Sequence, residues 1–162
     1  MSNEILHKQI VEKFNSVFSE PPPEVPDYVA DNLGHQLRPY QEHALSQFIF
    51  TQEIDQADLY SNHLLFHMAT GSGKTLVLAS NILYLYKEQN KQNFIFFVNS
   101  DAIIKKTKDN LTNTNSLKYL FRKEGIVIDG NQIDIQIVDV FPSLPDPHTI
   151  YLKLTTIQKL HL

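Results

Sequence analysis

The sequence predicts an α/β fold built on a mainly parallel sheet. Three observations point there. From Asn62 onward, short apolar runs alternate with longer stretches of helical spacing. The run Phe94-Ile95-Phe96-Phe97-Val98 is as apolar as a strand covered on both faces. A glycine-rich turn, Gly71-Ser72-Gly73, lies where one apolar run gives way to a helical pattern. Strand and helix in alternation imply parallel strands joined by right-handed crossovers.

Taken in order, residues 3–18 place Ile5, Leu6, Ile10, Val11, Phe14, Val17 and Phe18 at helical spacing, which predicts an N-terminal helix within residues 1–20. Pro21-Pro22-Pro23-Glu24-Val25-Pro26 forbids helix, so residues 21–36 read as a stiff, proline-rich linker. A second helix starts at Pro39, a good first-turn residue, and runs to about Gln52. Leu64-Leu65-Phe66-His67-Met68 predicts a strand, and residues 74–88 a long helix after the glycine turn. The strand at 94–98 leads into one helical stretch from Asp101 and another over residues 116–123. Asp129-Gly130 separates Ile126-Val127-Ile128 from the run at 133–140, which predicts a hairpin. Residues 149–154 alternate as one more strand and lead into Thr155-Thr156-Ile157-Gln158.

Composition narrows the function classes. Without cysteine there is no disulfide, thiol catalysis or cysteine-based zinc site. Glu4, Lys8, Glu12 and Lys13 interrupt the first helix, and no apolar run reaches membrane-spanning length, so a cytoplasmic protein with no membrane partner is expected. Residues 1–60 carry three basic and ten acidic side chains, whereas residues 61–162 carry eleven and eight. An enzyme that grips a phosphate backbone through a few groups in a cleft need not be basic overall, so charge leaves a nucleic-acid partner open. His63 and His67 stand four apart but fall in a predicted strand with no third ligand, and read as structural. Tyr84 and Tyr86 read as packing residues.

Chemistry concentrates in Ala69-Thr70-Gly71-Ser72-Gly73-Lys74-Thr75. Glycines let the backbone wrap close around an anion, and the helix that starts near Lys74 adds unpaired N–H groups and its positive dipole end. Lys74 would reach the β- and γ-phosphates of a nucleotide, and the Thr75 hydroxyl would ligate Mg²⁺. The general pattern has glycine five residues before Gly73, where this chain has Met68. A glycine turn followed by a lysine by chance is the competing reading; the apolar run before and the helix after stand against it.

Upstream lies Leu37-Arg38-Pro39-Tyr40-Gln41. Together with Met68-Ala69-Thr70-Gly71-Ser72-Gly73-Lys74-Thr75, it resembles the opening motifs of superfamily 2 helicases, and most the branch of the motor subunits of type III and, more distantly, type I restriction enzymes. Methionine at the first loop position is familiar there. The resemblance spans residues 37–162 and implies a partial RecA-like lobe that binds ATP with Mg²⁺ through Arg38, Gln41, Thr70, Gly71, Ser72, Gly73, Lys74 and Thr75. Gln41 would meet the adenine edge, since an amide offers a donor beside an acceptor, and Lys74 is the catalytic candidate. Phe97-Val98-Asn99-Ser100 looks like the family's next motif, and Thr155-Thr156-Ile157-Gln158 like a later one. Both would touch a DNA backbone, through Asn99, Ser100, Thr155, Thr156 and Gln158. For the first, a plain strand-to-helix cap is the alternative, and for Lys105, Lys106 and Lys108 a solvated helix face is the better reading. A methyltransferase or specificity subunit is the further partner that the resemblance implies.

The family's acidic motif, an Asp-Glu pair that positions Mg²⁺ and the attacking water, has no counterpart, because no Asp-Glu dipeptide occurs in the sequence. Ile137-Val138-Asp139 precedes residues 155–158, whereas the family places the acid after them, so Asp139 reads as the end of a hairpin strand. The expectation is an incomplete lobe that binds nucleotide without turning it over, with an open sheet edge that favours self-association. Two other readings stay open: a stand-alone nucleotide-binding or regulatory module, and a phosphate-loop kinase of small molecules. The Gln41 motif and residues 155–158 argue against the kinase.

Overall fold

The computed structural model describes Lys8, residues 23–53 and residues 63–160. The N-terminal helix expected over residues 1–20 lies outside the described residues, Lys8 apart. Helix α1 (Asp27–Ala30) and α2 (Pro39–Glu53) come first, followed by α3 (Lys74–Gln89), β1 (Asn93–Val98) and α4 (Asp101–Thr112). Next are β2 (Ile126–Ile128), β3 (Asn131–Ile137), β4 (Thr149–Thr156) and a 3₁₀ turn over Ile157–Leu160.

The sheet order is β1-β4-β3-β2. β4 pairs in parallel with β1 on one side and β3 on the other, and only β2 and β3 run antiparallel. The fold is thus the mixed, mainly parallel α/β arrangement that the sequence predicts. The Asp129-Gly130 turn closes β2 on β3 with Ile128 opposite Asn131. Both turn residues have left-handed backbones, φ 51° and 79°, as the tight two-residue hairpin turn requires. The hairpin strand stops at Ile137, so Asp139 lies past its end in a bend and is exposed.

Four expectations need correction. Residues 64–68 form no strand: they pair with no neighbour among the described residues, although Leu64 and Phe66 rest on the core while Leu65 is 89% exposed. Burial alternates there as in a strand, but a strand exists only through its ladder. β1 is covered on one face, not two, since Phe94 and Phe96 pack on the core while Ile95 and Phe97 remain half-exposed. Residues 116–123 form turns instead of helix. There Asn113 Oδ1 accepts from Asn115 N and Ser116 Oγ from Lys118 N, the local bonds by which short polar side chains compete with helix.

The fourth correction concerns the linker. Val29, Leu33 and Leu37 are all buried in the core cluster, so residues 27–37 are packed structure. Asn32 binds this segment to the sheet. Its Nδ2 donates to Val127 O at 2.8 Å and to Tyr28 O at 2.7 Å, and its Oδ1 accepts from Val127 N at 2.7 Å. The side-chain amide thereby stands where a further strand beside β2 would be. Gly34 follows because a Cβ there would meet Phe121 O at 2.5 Å and Tyr119 O at 2.8 Å.

The core joins α2 to α3, with Phe48 and Tyr84 edge to face at 5.8 Å, a pairing worth about 0.5–1.5 kcal/mol beyond area burial. Burial and the nearby Glu53 and Glu88 push the Tyr84 hydroxyl up to about 12, which agrees with a packing residue that stays neutral. Replacing Asn32 by alanine orphans the outer N–H and C=O of Val127 and should lower stability by about 1–3 kcal/mol. Urea unfolding measures this, and an unchanged midpoint would mean that water serves Val127 equally well.

Candidate nucleotide-binding site

The site is built where the start of α2 meets the start of α3. Pro39 occupies the first position of α2, where its missing N–H costs nothing. Gln41 is then the third helical residue, and its Oε1 reaches back to accept from Arg38 N at 2.9 Å, the return half of a capping box. That bond fixes which way the amide faces. With its oxygen turned to Arg38, the Nε2 group is aimed at the glycine loop, where it donates to Ser72 O at 2.9 Å and to Gly73 O at 3.3 Å. Gln41 is accordingly buried, 3% exposed.

The glycines have separate reasons. Gly71 and Gly73 both have φ of 79°, a region that L side chains resist. A Cβ on Gly71 would meet nothing within 4 Å, so backbone conformation alone demands glycine there. On Gly73 a Cβ would also collide with Gln41 Nε2. Gly73 is the N-cap of α3 and accepts from Leu76 N at 2.9 Å. The N–H groups of the first helical turn have no partner within the helix, and its macrodipole places partial positive charge at that end. Lys74 folds its ammonium over the loop, donating to Met68 O and Ala69 O, each at 2.9 Å. Ser72 Oγ is buried without a hydrogen-bond partner among the described residues. Thr75 is half-buried, whereas Thr70 and Arg38 are exposed.

Tyr40 is the residue for which the motif offered no role. Its hydroxyl donates to Ser72 O at 2.9 Å and accepts from Arg38 Nη1 at 3.2 Å. The only sequence signal was its place directly before Gln41.

The remaining candidates gather near the carboxyl ends of β1 and β4, which the register Phe97↔Thr155 and Val98↔Thr156 sets side by side. The chain turns back between α3 and β1 through residues 90–92. The N-terminus of α3, with its loop, therefore lies toward this same end of the sheet, where parallel α/β folds bind ligands. Asn99 and Gln158 are exposed. Ser100 caps α4, its Oγ accepting from Ile103 N at 3.4 Å, so the plain cap is real. The side chains of Thr155 and Thr156 are buried, 8% and 6% exposed. Lys159 pairs with Asp101 at 2.8 Å and ties the 3₁₀ turn to α4. Lys105, Lys106 and Lys108 form an exposed helix face.

A family model described as "Type III restriction enzyme, res subunit" matches residues 34–162. The chain belongs to this Res family. It is 39% identical over 145 residues to "Probable type III restriction-modification enzyme HindVIP Res subunit" of Haemophilus influenzae, covering 85% of this chain and 27% of that protein. With "Type I restriction enzyme EcoAI endonuclease subunit" of Escherichia coli it shares 33% identity over 84 residues, 52% of this chain and 10% of the relative. The chain thus spans about a quarter of the length of the Haemophilus relative. No solved structure matches it. The mainly parallel sheet of this Res-family chain agrees with a partial RecA-like helicase lobe, and a restriction-system, helicase-like motor family is established for it. Among the described residues no helix is long and apolar enough to cross a membrane.

The contact between Gln41 and Gly73 can be read by a double-mutant cycle. Gly73→Ala should cost more in the wild type than in a Gln41→Ala background, where only the left-handed backbone penalty of about 1–2 kcal/mol remains. Urea unfolding of the four proteins gives the coupling, and equal costs in both backgrounds would dissolve it.

Proposed function

We propose that this chain binds ATP with Mg²⁺ at residues 69–75 and serves as the nucleotide-binding part of a DNA-dependent translocase of a restriction system. The observation that carries the reading is the loop itself. Two left-handed glycines lead into the N-terminus of α3, and Lys74 arches its ammonium over the loop. The donors fit a polyphosphate: helix N–H groups, a cation, and Ser72 Oγ as a buried hydroxyl that lacks a partner. Thr75 would hold Mg²⁺ through its hydroxyl, as the phosphate-loop motif implies. Bound Mg²⁺ supplies charge neutralisation at the β- and γ-phosphates.

Arg38 and Gln41 flank the base. Both Nε2 hydrogens of Gln41 are committed to the loop, so the base is left the second lone pair of Oε1 and the exposed Arg38 guanidinium. This narrows the amide from donor and acceptor to acceptor only. A kinase of small molecules gains no support, because the Leu37–Gln41 motif that packs on the loop and residues 155–158 belong to the helicase-type pattern. The 162 residues contain no Asp-Glu pair, and exposed Asp139 is the sole acid just past a central strand end on the candidate-site side. We therefore read the chain as binding nucleotide without hydrolysing it. In calorimetric titration, Lys74→Ala should weaken Mg-ATP by about 1.5–3 kcal/mol, the worth of a charge-assisted phosphate contact. Equal affinities would remove the loop from the site, and steady phosphate release by the wild type with DNA present would overturn the inactive reading.

DNA contact falls to Asn99, Ser100 and Gln158, with Thr155 and Thr156 holding the strand end from within. Contacts of this kind position a backbone and read no sequence. Fluorescence anisotropy on duplex DNA should show affinity falling steeply with salt and indifferent to sequence. Sequence preference that salt leaves untouched would contradict it.

A further inference from the structure

We propose that Tyr40 is a positioning residue for phosphate binding, its hydroxyl pinning the Ser72 carbonyl so that the next N–H turns into the phosphate cradle. This rests on the nucleotide-binding reading above.

The peptide plane couples the two groups. In a trans peptide the C=O of one residue and the N–H of the next point in opposite directions. Ser72 O accepts from Tyr40 Oη and from Gln41 Nε2, each at 2.9 Å, so both of its lone pairs face the start of α2. Two donors on one carbonyl fix the plane and not merely its direction. The N–H of Gly73 is thereby directed to the opposite side of the loop. Gln41 Nε2 also reaches Gly73 O at 3.3 Å, a carbonyl that Leu76 N already holds at 2.9 Å, so the helix itself directs the Lys74 N–H.

The hydroxyl is itself oriented. Arg38 Nη1 donates to Tyr40 Oη at 3.2 Å, which leaves the phenolic proton for Ser72 O. Burial does not account for a tyrosine at this position, because its ring is 44% exposed. What a phenylalanine could not supply is the bond to the loop. A loop with left-handed glycines at 71 and 73 has more backbone freedom than other sequences. Donors anchored on a helix remove that freedom before a ligand arrives, which is how preorganisation raises affinity.

The test is Tyr40→Phe in the 162-residue chain, which keeps the ring and removes only the hydroxyl. Affinities for Mg-ATP, Mg-ADP and, by competition, AMP are measured beside the urea midpoint. The loop N–H groups act on phosphates beyond the first, so ATP and ADP should weaken about three- to tenfold, the worth of one hydrogen bond, while AMP stays within twofold. Amide exchange at Gly73 should quicken in the same variant, read by NMR. A lower urea midpoint with all three affinities unchanged would reduce Tyr40 to a stabilising contact and overturn the proposal. Equal weakening of AMP, ADP and ATP would also overturn it, since the hydroxyl would then act on the whole site. A wild type that binds none of the three overturns the nucleotide reading and this proposal together, a result unlike either of the others.

Discussion

Everything in this fold is arranged around β4, which must find partners on both edges at once. A central parallel strand has N–H and C=O groups pointing both ways, and leaving either row unpaired in the interior costs a few kcal/mol for each group. β1 supplies one row of partners and β3 the other, and Thr149, Ile150, Tyr151 and Leu152 are buried as a result. Because both neighbours are parallel to β4, the ends of β1 and β4 emerge side by side. The polar residues that follow them, Asn99-Ser100 and Gln158-Lys159, are therefore brought to one rim. The glycine loop reaches that rim by a different route, through the length of α3 and the short return into β1.

The link between α2 and the loop works at a smaller scale and by direction more than strength. A helix cap decides how one amide faces, that amide and its neighbouring hydroxyl hold the Ser72 carbonyl, and that carbonyl decides where the next N–H points. Each of these bonds is worth about 1 kcal/mol net. Their value lies in acting in series on a stretch of backbone that glycine leaves soft. The same geometry explains why Gly73 is constrained twice, by its left-handed φ and by the Gln41 side chain where a Cβ would stand.

Much of this was legible in the chain, and the failures share a cause. Helices α2 and α3 and the Asp129-Gly130 hairpin are specified locally, by Pro39, by the glycine turn and by a dipeptide suited to left-handed φ. Whether residues 64–68 become a strand is decided by a neighbour elsewhere, and no local pattern reports that. Apolar β1 gave no hint that Ile95 and Phe97 would lie half-exposed, for the same reason. After the proline run at 21–26, Val29, Leu33 and Leu37 recur every four residues and are buried together, a pattern too short to outweigh the prolines before it. At the site, the glycine loop is legible in the order of residues 69–75 and in the patterns on either side of it. That Gln41 is engaged with Ser72 and Gly73 was not, since only the folded chain brings residues thirty apart within hydrogen-bond reach.

The side-chain amide of Asn32 has a consequence for assembly. By occupying the outward N–H and C=O of Val127, it closes the β2 edge of the sheet as a strand would, in the space of one residue. At Val127 this edge is thereby blunted against pairing with another strand.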